Sequence, residues 1–122
     1  MLDLPEFDTG QYIGCEVLMR NGNATLVVFI EESAEVRIDF HKVRWHQYTD
    51  LHHCSLEMLR DAYFKLIEVK NSKERDLFIM AAAATKTRPY NEIHHYRIFL
   101  DETGCHEFLA ESVSDCSNTQ QE

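Results

Sequence analysis

Three clusters in this chain are built from residue types that do chemistry. LHHCSL, at 51–56, sets His52, His53 and Cys54 side by side; His94 and His95 form a second cluster, and Cys105 with His106 a third. Neutral imidazole and thiolate are good zinc ligands. Structural zinc sites, however, usually present ligand pairs at separations such as CxxC or HxxxH. Three adjacent residues can aim at most two side chains at one ion. A metal site would need one of His52, His53 or Cys54 to meet His94 or His95 and Cys105 or His106. The spacing gives no reason for that, so neither a metal nor a cofactor is expected. The simpler reading puts His52 and His53 in a turn before a helix, and His94 and His95 at the start of a strand.

Cys54 is the best nucleophile on offer. At a helix N-terminus its thiol pKa would be lowered, and His52 or His53 would be near. Catalytic partners normally come from elsewhere in a fold, though. Cys54 also fits as the apolar residue one turn before Met58. No catalytic residue is therefore expected. The chain contains no GxSxG, HExxH, P-loop or Rossmann glycine run. Its four glycines, Gly10, Gly14, Gly22 and Gly104, leave little for a phosphate-cradling loop. No pair of carboxylates stands in an apolar setting that would raise a pKa, and Trp45, Tyr48 and Tyr63 read as core.

The elements that must position these residues follow from periodicity. QYIGCEVLM is strand-like, Asn21-Gly22-Asn23 is a hairpin turn, and ATLVVFIEE has an apolar middle suited to burial on both faces. After a polar turn at 31–34, EVRIDF alternates, with Val36, Ile38 and Phe40 on one side. Val43 and Trp45 are out of phase with them, which calls for a bulge near His41-Lys42. Ser55 can cap a helix to about Phe64, with Leu56, Leu59 and Tyr63 inward. KLIEVK is a short strand. Ser72 can cap a second helix with Glu74 in its first turn, and its body, DLFIMAAAA, is apolar enough all round to lie buried on the sheet. TKTRPYNE is a loop. HYRIFL and CHEFLAES alternate about Asp101-Glu102-Thr103-Gly104, where Gly104 tolerates a positive φ. The expected fold class is α+β: an antiparallel sheet of about five or six strands with two helices. Leu59, Tyr63, Ile79, Ile98 and Phe108 are expected in the core.

A length of 122 residues suits one domain over 1–122, with 113–122 read as a flexible acidic and polar tail. The four cysteines have no CxxC spacing and read as reduced thiols. No secretory signal or membrane span is visible, so a cytoplasmic protein is expected. The net charge of −9 argues against nucleic acid as a partner. Its distribution says more. Residues 1–19 carry Asp3, Glu6, Asp8 and Glu16, and residues 98–122 carry Asp101, Glu102, Glu107, Glu111, Asp115 and Glu122, with no Lys or Arg in either stretch. If the ends pack together they form an acidic surface that steers a basic partner.

CSLEMLRDAYFKLIEVKNS (54–72) and HHYRIFLDETGCHEFLAES (94–112) together resemble small, acidic, single-domain bacterial proteins of the immunity type, met in contact-dependent and polymorphic toxin systems. The resemblance covers about a third of the chain. It implies a cytosolic, non-enzymatic protein that binds and blocks a cognate toxin, and it carries no site residues over. The expectation is a protein-binding protein whose partner is a basic toxin domain, not nucleic acid or membrane. Contact would run through Asp101, Glu102, Glu107 and Glu111. The alternative is a metal-dependent or small-ligand-binding enzyme using the His and Cys positions.

Overall fold

A computed structural model describes residues 9–31, 35–84 and 92–115. Six strands form one antiparallel sheet: β1 (Tyr12–Arg20), β2 (Asn23–Ile30), β3 (Val36–Asp50), β4 (Ile67–Glu68), β5 (His94–Leu100) and β6 (Gly104–Asp115), in the order β1-β2-β3-β6-β5-β4. Two helices, α1 (Leu56–Ala62) and α2 (Lys73–Ala84), complete the expected α+β class.

Local chemistry explains the turns. Asn21 and Gly22 both take positive φ, 52° and 81°, the twist that a two-residue hairpin needs and that Asn-Gly adopts most readily. At the β5–β6 turn Gly104 has φ 136°, and a Cβ there would run into the Thr49 carbonyl oxygen of β3. Glycine is required at this position for both reasons. Lys42 stands in the left-handed region, and the β3–β6 register slips between Val43 and Trp45. That is the irregularity the phase change in the sequence demands.

The sheet curls. β1 lies at one edge, with β2 and β3 between it and β6, yet Tyr12 Oη is 2.6 Å from Thr103 Oγ1 and Cys15 Sγ is 3.5 Å from His106 Nε2. The concave face holds the main core: Leu26, Ile38, Phe40, Tyr96, Ile98 and Phe108 are buried there, with Phe40 and Phe108 stacked at 4.1 Å. A smaller cluster of Ala62, Phe99 and Cys105, packed with Cys54 and Met58, joins α1 to the convex face.

Several expectations are corrected here. Ile98 and Phe108 are buried, but Leu59 (40% exposed), Tyr63 and Ile79 are not. α1 turns its Cys54, Met58 and Ala62 side to the sheet, one position out of phase with the Leu56, Leu59 and Tyr63 stripe. α2 has no buried residue, and Leu77 and Met80 are 65% and 66% exposed. A helix apolar on every side has no single face to direct inward, and the strand beneath it presents His95 and Arg97, a polar bed that does not reward burying leucine. Val113, Ser114 and Asp115 belong to β6 and pair with Phe40, Asp39 and Ile38, not to a tail. The expected loop at 85–92 apart from Glu92, part of the turn at 31–34 and the remainder of the tail lie outside the described residues.

Candidate functional site

β5 and β6 alternate strictly, and that alternation decides the fate of the histidines and cysteines. His95, Arg97, Cys105 and Glu107 project from the convex face; His94, His106 and Phe108 project from the other. The paired residues His94-His95 and Cys105-His106 are thus split across the sheet. Among the described residues, no three His, Cys, Asp or Glu side chains gather around one point where an ion could be held. His52 and His53 sit exposed in a short 3-10 turn, His53 Nδ1 against Asp50 Oδ1, while the Cys54 thiol points at the Thr49 and Asp50 carbonyls. Burial pushes the Cys54 and Cys105 thiols up, Cys105 to about 12, the opposite of an activated nucleophile. His94 Nδ1 lies 2.7 Å from Glu68 Oε2.

Two groups of polar side chains do assemble. On the convex face Ser72 caps α2, its Oγ accepting the Arg75 N–H at 3.0 Å. The same Oγ lies 2.5 Å from His95 Nδ1, and His95 Nε2 lies 2.7 Å from Glu107 Oε1. Arg97 Nε donates to that carboxylate oxygen at 3.0 Å, directly across the β5–β6 ladder, and the Trp45 ring meets His95 edge-on. A carboxylate only accepts, so the imidazole proton facing it sits on Nε2. Burial works to raise the Glu107 carboxyl, but the His95 hydrogen bond and the Arg97 charge outweigh it and hold it below its ordinary range.

Hydroxyl, imidazole and carboxylate in line are the parts of a nucleophilic relay. Here His95 is fully buried, Ser72 nearly so, and the Ser72 oxygen already holds a helix end. The arrangement fastens the α2 N-terminus to the sheet. Glu107, expected on an acidic surface, is 2% exposed and leaves that surface. Of the other expected contact residues, Glu102 is exposed, Asp101 accepts a hydrogen bond from the Tyr63 hydroxyl, and Glu111 pairs with Arg44 at 3.0 Å.

On the concave side His46 Nε2 lies 3.4 Å from His106 Nδ1, with the rings nearly parallel, and His46 stacks on Phe108 at 4.6 Å. Burial pushes His106 down to about 4, helped by His46, and lowers His46 as well. Burial raises the Cys15 thiol. At neutral pH these are two uncharged rings and a thiol, with His106 buried and His46 and Cys15 partly buried at the edge of the core.

Neither group was visible as a unit in the sequence, since Arg97, His46 and Ser72 carried no chemical expectation. The usable signal was the hairpin register: alternation counted outward from Gly104 sets Arg97 opposite Glu107.

The third feature is the outer side of the helices. Glu57 of α1 reaches toward Arg97, and Glu74 of α2 toward His95, so both helices lie over β5 on the convex face. Leu56, Leu77 and Met80 face water, and the same two helices expose Glu57, Asp61, Glu74 and Asp76 beside Arg60 and Lys73, with Asp61 paired to Arg60 and Asp76 to Arg75.

No protein-family model, curated protein or solved structure matches this chain. Among the described residues, no helix is long and apolar enough to cross a membrane.

Proposed function

We propose that this protein is a non-catalytic binding protein that occludes a basic protein partner, in its sharpest form a cytosolic immunity protein that neutralises a cognate toxin. The observation that supports this reading is the water-facing apolar residues of α1 and α2, where Leu56 is 83% exposed and Leu77 and Met80 are about two-thirds exposed, on helices that also carry four acids and the bases Arg60, Lys73 and Arg75. Exposed apolar anchors within a charged rim have the make-up of a protein contact, and a net negative charge favours a basic partner and speeds its approach. Tyr63, half exposed and hydrogen-bonded to Asp101, adds an aromatic anchor beside Glu102. The net charge of −9 supplies the long-range field.

The test begins with the partner captured from the source cell and purified. Association is then measured across a salt series for the wild type, for Asp101→Lys/Glu102→Lys and for Leu77→Ser/Met80→Ser. The acid reversal should slow association at low salt, and the apolar pair should speed dissociation. Co-expression should abolish any toxicity of the partner. Wild-type association by the acid-reversed variant at low salt would overturn the acidic mechanism, and undiminished toxicity would overturn the immunity reading.

A further inference from the structure

β1 is an edge strand, and among the described residues no strand pairs with it on its outer side. In a two-residue hairpin the residues flanking the turn share a hydrogen-bonded pair. Here these are Arg20 and Asn23, so Arg20, Leu18 and Glu16 bond to β2. The N–H and C=O groups of Cys15, Val17 and Met19 therefore point outward. Such an edge is a ready template for another strand. The register slip of β1 lies at its far end, between Tyr12 and Gly14; from Cys15 to Arg20 there is no proline or bulge, Leu18 and Met19 are exposed apolar residues, and Arg20 is the lone basic residue of the strand. Glu16 and Arg20 are both exposed, and neither makes an ion pair among the described residues.

The spacing of those two charges identifies the occupant. We propose that β1 pairs antiparallel with the β1 strand of a second copy of this chain, centred on Leu18, joining the two sheets edge to edge. In that register Val17 faces Met19 of the other copy, and both are among the residues whose backbone groups point outward, so the ladder closes. Leu18 faces itself. Glu16 faces Arg20 of the other copy, and twofold symmetry repeats the contact. Both fall at the non-hydrogen-bonded positions, where cross-strand side chains approach most closely. One face of the junction thus carries charge, leucine and complementary charge, and the other carries valine against methionine. Shifting the register by two residues loses the charge match.

The experiment is sedimentation equilibrium from about 10 μM to about 1 mM at an ionic strength of about 0.15 M, where the net repulsion of two acidic chains is screened. Wild type, Glu16→Arg, Arg20→Glu and the double swap E16R/R20E are compared, with circular dichroism melts to verify folding. Each single reversal sets like charges opposite each other twice per dimer and should weaken dimerisation about tenfold or more. The double swap restores opposite charges and should recover dimerisation to within about threefold. Hydrogen exchange at the Val17 and Met19 amides should slow as concentration rises. A wild type that stays monomeric to about 1 mM, single variants that dimerise like wild type, or a double swap no stronger than the singles would each overturn the proposal and leave the edge to some other strand.

Discussion

The two faces of the β5–β6 hairpin each bury one histidine and treat it in opposite ways. On the convex face His95 lies between a carboxylate and a hydroxyl, with Arg97 balancing Glu107. On the concave face His106 has another imidazole and a thiol for neighbours, and burial drives its pKa down. Both rings are inside the protein. One is part of a compensated charge network; the other acts as a slightly polar aromatic. A histidine's chemistry is set by what the opposite strand places against it, and the residue type alone does not reveal which case applies.

Breaking the convex network should have the largest effect. Glu107→Ala leaves Arg97 buried beside a histidine with only the exposed Glu57 carboxylate, 3.8 Å away, as ion-pair partner among the described residues, and stability in urea should fall by about 3–5 kcal/mol. A loss below about 1 kcal/mol would mean that Glu57 and water suffice to compensate Arg97 and that the two faces differ less.

The concave face is probed by pH. His106 titrates at about 4 in the fold against 6.5 for a free histidine, so the unfolded chain takes up the proton first as pH falls. The contribution is fully present above about pH 6.5, declines below it and is exhausted near pH 4, amounting to about 3 kcal/mol. His106→Gln should flatten the stability profile over that window. An unchanged slope would assign the acid sensitivity to other groups.

A smaller effect sharpens the comparison from the helix side. Ser72→Ala removes both the α2 cap and the hydroxyl on His95, and should cost about 1–2 kcal/mol. Hydrogen exchange should then rise in the first turn of α2 before it rises elsewhere. Smallest of all, Leu59→Ala should cost less than about 1 kcal/mol, because the side chain keeps much of its surface in water. A chemical-denaturation loss above about 2 kcal/mol would show that α1 buries Leu59 after all.

Strands were legible because period-two alternation and the Asn21-Gly22 and Gly104 turns are short-range signals that tertiary packing did not override. Helix caps were legible for the same reason, and Ser55 and Ser72 serve as read. Helix burial was not. In α1 the apolar residues supply two overlapping stripes, and the choice between Leu59 and Met58 depends on where Phe99 and Cys105 stand on distant strands. α2 offers no stripe at all. The polar groups were hidden because each unites residues from separate elements: Glu107 reads as one acid in an acidic stretch until the register sets it against Arg97.

The order of the strands also bears on how the chain reaches this shape. β3 finds one neighbour, β2, close in sequence, but its other neighbour is β6, so that His46 must wait for Phe108. Until β6 is made, a β1–β3 meander emerging from the ribosome carries Leu26, Ile38 and Phe40 with nothing to cover them. Pairings this distant make for slow collapse and a prolonged sticky intermediate. A ribosome stalled before residue 104 should therefore hold a chain that binds chaperone or aggregates, and release into β6 should end that state.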